Sequence, residues 1–152
     1  MIVRALVDSN LLVYSYDRSE PRKQQQALEA LDALASERAG AVSTQVLAEF
    51  FVNVTRKLAE PLPLDSAAER VEHYLRSWRV FDVSPLVVQE AVRGVRQHRL
   101  NYWDAQIWAV ARIHRIPVLL SEDFSHGAVI EGVRFVNPLR PGFRAVDLIQ
   151  SL

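Results

Sequence analysis

The sequence predicts an α/β domain with a parallel sheet covered by helices on both faces. Ile2–Val7 and Ile116–Leu120 are nearly continuous apolar runs, as strands buried on both sides must be. Helical patterns alternate with the strand candidates along the chain, which calls for crossover connections and parallel pairing. At 152 residues and 49% hydrophobic composition, the chain has enough apolar material for one core, so residues 1–152 are read as a single domain.

The first apolar run ends at Asp8 and is followed by a short helical turn from Leu11 to Tyr16. Pro21 suits the first position of a helix carrying Ala27, Leu28, Leu31 and Leu34, and Gly40 is its expected stop. Ala41–Ser43 is a brief strand. Thr44 is the expected cap of a helix with Leu47, Phe50, Phe51, Val54 and Leu58 at helical spacing, and Glu49 lies on it. After the Pro61-Leu62-Pro63 break, Asp65 is the expected cap of a helix that turns Ala68, Val71, Leu75 and Trp78 inward. A strand from Arg79 to Val83 follows. Ser84-Pro85 opens a helix to about His98, and Asn101 caps another with Trp103, Ile107, Val110 and Ala111 on its apolar side. That helix leads into the run that ends at Asp123. A last strand, Val133–Val136, precedes a tail.

Composition removes several function classes. The chain has no cysteine, so it carries no disulfide framework, thiolate metal site or cysteine nucleophile, which fits a reducing, cytoplasmic setting. No stretch approaches the roughly 18 apolar residues of a membrane span. Lys+Arg and Asp+Glu are both 18, so nucleic acid would have to be bound through local features rather than bulk charge. Lys23 and Lys57 are the only lysines, and arginine suits bidentate contact with phosphate. No Gly-rich phosphate loop, G-x-S-x-G elbow or paired histidines at ligand spacing is present. An aspartyl phosphatase would need a second acid two residues after Asp8, where Asn10 stands.

Four acids remain: Asp8, Glu49, Asp104 and Asp123. Each has a local explanation. Asp8 and Asp123 suit helix caps, Asp104 suits a capping box with Asn101, and Glu49 suits a solvated helix face. Asp104, however, shares a face with Ile107, Trp108 and Ala111, which places it at the core edge. Two strand ends and two helix N-terminal halves bring all four acids to the carboxyl side of the sheet, where ligands of open α/β sheets bind. Carboxylates that converge need a cation, and oxygen-only ligands select Mg²⁺ or Mn²⁺. Such an ion activates water and offsets charge in phosphodiester hydrolysis, which points to a nuclease. Asn10 is either a turn-former or a hydrogen-bond support for a carboxylate. Glu122 competes with Asp123 for the fourth position.

Val7-Asp8-Ser9-Asn10, Ser43-Thr44-Gln45-Val46-Leu47-Ala48-Glu49-Phe50, Trp103-Asp104-Ala105 and Leu120-Ser121-Glu122-Asp123-Phe124 together resemble the PIN-domain ribonucleases. The similarity is greatest to the VapC-type toxins of bacterial toxin–antitoxin pairs. It implies a three-layer α/β/α sandwich with a mainly parallel central sheet and Mg²⁺- or Mn²⁺-dependent cleavage of RNA. A homodimer and a protein antitoxin that blocks the site are also implied. The family's four acids fall on Asp8, Glu49, Asp104 and Asp123, with Ser121 as the polar residue two before the last. Asp8, Asp104 and Asp123 are then the expected metal ligands, with Glu49 helping to hold the ion or ordering the attacking water. Arg93, Arg96 and Arg99, at i, i+3, i+6 spacing, and His126 are candidate substrate contacts, whereas Arg112 and Arg115 suit a helix C-terminus. The alternative function is a PIN-like module that binds RNA or protein without cutting.

Overall fold

The computed structural model describes residues 2–152. It is a mixed α/β fold with a six-stranded sheet in the order β3-β2-β1-β4-β6-β5. In chain order the elements are β1 (Ala5–Val7), α1 (Ser9–Tyr14), α2 (Pro21–Glu37), β2 (Gly40–Ser43), α3 (Thr44–Arg56), α4 (Leu64–Ser77) and β3 (Arg79–Phe81). They continue with α5 (Pro85–His98), α6 (Tyr102–Ile113), β4 (Val118–Leu120), β5 (Val129–Ile130), β6 (Val133–Val136) and α7 (Ala145–Ser151). All pairings are parallel except β5 with β6.

The central strands are buried throughout, Ala5–Val7 and Val118–Leu120 alike, as their unbroken apolar character requires. Trp108, Phe50 and Phe135 are the largest fully buried side chains. Each such side chain contributes roughly 1.5–3 kcal/mol by leaving water. The approach of α5 to α6 depends on Gly94, because a Cβ there would lie 2.8 Å from the Trp108 ring.

Chain direction places the site. From β1 the chain crosses to β2 and β3 on one side, and later returns to β4 on the other side of β1. Connections leaving β1 and β4 therefore diverge and open a crevice beyond their carboxyl ends. Asp8 follows β1, and Ser121 to Asp123 follow β4. The Asp8 N–H donates to Leu120 O at 2.9 Å, which ties the two strand ends together.

Several boundaries differ from expectation for identifiable reasons. Helix α2 stops at Arg38, in the left-handed region at φ 51, and Gly40 instead opens β2, where the Trp78 ring lies 2.5 Å from where a Cβ would be. The cap of α3 is Ser43, which accepts from Val46 N at 3.3 Å, while the Thr44 hydroxyl accepts from Val83 N. Helix α4 begins at Leu64 without a side-chain cap, and Asp65 lies in its first turn. Its inward residues are Ala67 and Tyr74, with Val71 and Trp78 half-buried, whereas Leu75 is 54% exposed and Ala68 faces out. Tyr74 takes that place because it packs edge-on against both Phe50 and Trp78. The tail holds α7, and a two-residue Glu131-Gly132 turn at positive φ joins β5 to β6.

Candidate metal centre

Asp8 is the N-cap of α1 and is 3% exposed. One of its carboxylate oxygens accepts from Ser9 N at 2.7 Å, and the other accepts from Ser121 Oγ at 2.7 Å. The capping explanation and the clustering explanation are thus both satisfied by one side chain. Asn10 Nδ2 reaches Ser121 Oγ and Asp123 Oδ2, each at 3.2 Å, and Asp8 Oδ2 at 3.5 Å. Ser121 Oγ also accepts from Asp123 N at 3.0 Å. Asn10 and Ser121 therefore hold the Asp8 and Asp123 carboxylates in fixed orientations.

Asp104 lies in the first turn of α6. Asn101 Oδ1 accepts from its N–H at 3.1 Å, and Asn101 Nδ2 donates to Asp104 Oδ2 at 2.6 Å. In place of the capping box that the spacing suggests, the Asn101 side chain makes both bonds, and its amide aims the carboxylate rather than competing with a site. One oxygen each from Asp8, Asp104 and Asp123 lies within 4.8 Å of the other two. At that separation each ionised pair repels by about 3 kcal/mol at an effective dielectric near 20, so three ionised groups would offset much of a domain's stability. Burial, reinforced by the Asp123 and Glu49 carboxylates, pushes Asp8 up to about 7. Burial and neighbouring acids also raise Asp104 and Glu49 above the usual carboxylate range.

Glu49 projects from α3, half-buried, and lies outside the three-acid set. Its Oε1 is buried without a hydrogen-bond partner, and so is Asn10 Oδ1. Both orphans are acceptors, and both are suited to waters carried by a hydrated cation. An all-oxygen donor set with unsatisfied acceptors at its rim fits Mg²⁺ or Mn²⁺.

The structure separates Glu122 from Asp123. Glu122 turns to Lys23, 3.1 Å away, and Lys23 lies over the Tyr14 ring and reaches its hydroxyl. The remaining candidates are not brought into hydrogen-bond contact with the carboxylates among the described residues. Arg93 pairs with Glu90 and with Glu131 and lies over Trp108. Arg96 is exposed on α5, and Arg99 ends that helix in the left-handed region at φ 57. His126 Nδ1 accepts from Asn137 N at 3.0 Å, and its ring meets Phe143 edge-on.

Sequence reasoning missed two features beside the centre. Trp103 does not pack inward but is 62% exposed, whereas Trp108 and Ile107 fill the core. Gln106, 6% exposed, joins Gln45 to Tyr102 in a hydrogen-bonded chain. Its helical register, two residues after Asp104 and four after Tyr102, was the available signal.

The fold is shared with solved structures of low sequence identity. A toxin–antitoxin complex from Klebsiella pneumoniae aligns with TM-score 0.63 at 24% identity, covering 88% of this chain and 97% of that chain. VapBC2 from Rickettsia felis, bound to a DNA fragment from its promoter, aligns with TM-score 0.61 at 18% identity, covering 90% and 98%. VapC20 from Mycobacterium tuberculosis, a Sarcin-Ricin loop cleaving toxin, aligns with TM-score 0.58 at 18% identity, covering 84% and 97%. No curated protein sequence gives a significant match. The sequence profile of the PIN domain matches residues 5–129, most of the chain, and the protein belongs to the PIN domain family.

Proposed function

We propose that this protein is a Mg²⁺- or Mn²⁺-dependent endoribonuclease and the toxin of a toxin–antitoxin pair. The observation that carries the reading is the convergence of Asp8, Asp104 and Asp123 at the divergence of the β1 and β4 connections. In this reading those three carboxylates hold the ion, and Asn10 and Ser121 fix the rotamers of Asp8 and Asp123. A divalent ion held there would supply Lewis acidity to activate water and offset charge on the phosphate. Glu49 orients the attacking water through its unpartnered Oε1, and its raised pKa moves it toward the range of an effective general base. Arg96 and Arg99 are in no ion pair among the described residues and are the basic groups of α5 open to RNA phosphates, with His126 as a further contact.

Similarity to toxin–antitoxin complexes supports a protein antitoxin as partner, and a homodimer is proposed with it. Exposed apolar side chains supply surface for both: Val52, Leu64 and Leu75 on or beside α3 and α4, and Leu86, Val88 and Val92 on α5. Among the described residues, no helix is long and apolar enough to cross a membrane.

The test is cleavage of single-stranded RNA by the purified protein in Mg²⁺ or Mn²⁺. Loss of cleavage in excess EDTA and in Asp8→Asn supports the reading. Metal-independent RNA retention without cleavage would instead establish a non-cutting binding module.

A further inference from the structure

A cavity of about 500 Å³ opens beside the carboxylates, lined among others by Gln45, Ala48, Glu49, Val83, Trp103 and Gln106. Glu49 lines the cavity and lies near enough to Asp104 and Asp123 for their charges to raise its pKa, so the cavity adjoins the three acids. Trp103 stands in the first turn of α6, one residue before Asp104. The indole is 62% exposed although folding would favour its burial, and Tyr102 meets it edge-on at 5.1 Å and 84°. A flat apolar surface is thereby presented to solvent at the edge of the site.

The polar groups facing this cavity are held in place. Tyr102 Oη donates to Gln106 Oε1 at 2.8 Å, and Gln106 Nε2 donates to Gln45 Oε1 at 2.8 Å. Gln45 Nε2 donates in turn to Trp103 O at 3.2 Å. This chain fixes both amides, yet the Gln106 NH₂ keeps a second hydrogen and each carbonyl a second lone pair for a ligand. Among the described residues, no lysine or arginine lines the cavity, and its one charged group is the acid Glu49. A phosphate is therefore disfavoured, and a neutral planar heterocycle with edge donors and acceptors is matched.

We propose that this cavity binds the nucleobase next to the scissile phosphate, stacked on Trp103 with its edge toward the Gln45 and Gln106 amides. The inference rests on the ribonuclease reading and narrows its substrate class to single-stranded or looped RNA, in which bases are free to leave their stack. Trp103 acts on substrate binding, and the carboxylates act on the reacting phosphate.

A cycle of variants and substrates tests this. A short RNA that the wild-type protein cuts at a mapped bond is compared with versions carrying an abasic nucleotide on either side of that bond, using wild type, Trp103→Ala and Trp103→Phe. Base stacking predicts a loss of about 5- to 100-fold in kcat/KM for Trp103→Ala, mostly in KM, and substantial recovery in Trp103→Phe. One abasic substrate should be cut poorly by wild type and no worse by Trp103→Ala. Cleavage by Trp103→Ala within twofold of wild type, as expected if Trp103 contacts only a protein partner, overturns the proposal. Losses that multiply independently at both flanking positions also overturn it. Absence of cleavage by wild type on any RNA refutes the ribonuclease reading itself, which separates the two failures.

Discussion

Replacing Asp8 by Asn should stabilise the metal-free protein at alkaline pH while removing its activity. The carboxyl is 3% exposed and its pKa is pushed from 3.8 up to about 7, chiefly by burial. A raised folded-state pKa means that the native protein holds a proton the unfolded chain has already released. Stability linked to Asp8 is therefore fully present below about pH 4 and is lost as pH rises to about 7. Three units at about 1.4 kcal/mol each give a deficit of about 4 kcal/mol above that window. An amide carries no charge and escapes this deficit. It also places an NH₂ opposite a donor, since the Asp8 carboxylate accepts from both Ser121 Oγ and Asn10 Nδ2, at a cost of about 1 kcal/mol. The net gain of about 3 kcal/mol corresponds to roughly 6–12 °C in Tm for a chain of this size. Circular-dichroism melts in EDTA should show that gain at pH 8 and near equality at pH 5, where the two effects nearly cancel. Added Mn²⁺ should raise the Tm of wild type and have little effect on the variant. A Tm difference that is the same at both pH values, or a less stable variant at pH 8, would refute the burial argument.

Three other changes bear on separate parts of the account. Glu49→Gln should lower kcat for RNA cleavage by about 100-fold or more, while calorimetry shows Mn²⁺ affinity within a few-fold of wild type; an equal loss of affinity would make Glu49 a ligand instead. Asp123→Asn should weaken Mn²⁺ binding at least tenfold, whereas Glu122→Gln, whose side chain is held by Lys23, should leave binding and cleavage within about threefold. Glu131→Gln should cost about 1 kcal/mol in urea titrations at neutral pH, because Glu131 joins Arg93, His98 and Arg112. Those partners hold Glu131 down at about 2, so its stabilising effect exists above pH 4.5 and fades as pH falls toward 2. A difference between wild type and this variant that persists undiminished at pH 2 would contradict that coupling.

The legible parts of the fold were those governed by one dominant pattern. β1 and β4 are continuous apolar runs because parallel strands are covered on both faces, and that signal does not depend on distant residues. Asn101 and Ser84 cap their helices as local chemistry dictates. The face of α4 was not legible in the same way, because whether Tyr74 or Leu75 turns inward depends on Phe50 and Trp78, which come from other turns and other elements. The β5–β6 turn was hidden because Glu131 adopts a positive φ that short polar residues or glycine usually take. Its carboxylate is held there by Arg93, His98 and Arg112, contacts that span 19 to 38 residues.

The site shows the same division. Asp8 and Asp123 could be placed at one edge because a strand end fixes the edge it faces. The choice between Glu122 and Asp123 required Lys23, about 100 residues away in sequence and adjacent only in the folded chain. Arg93 matched a helical stripe, but spacing alone does not reveal that Glu90 and Glu131 already engage its guanidinium. Trp103 looked like a core residue because an apolar side chain beside a buried helix face usually is one, and only its 62% exposure distinguishes it.

One divalent cation held by Asp8, Asp104 and Asp123 is the central claim, and anomalous X-ray scattering from crystals soaked in Mn²⁺ tests it most directly. The account predicts a manganese peak within ligand distance, about 2.2 Å, of one oxygen from each of these carboxylates, with waters completing the shell toward Glu49. A peak elsewhere, or none here at millimolar Mn²⁺ with the carboxylates ionised, would contradict it.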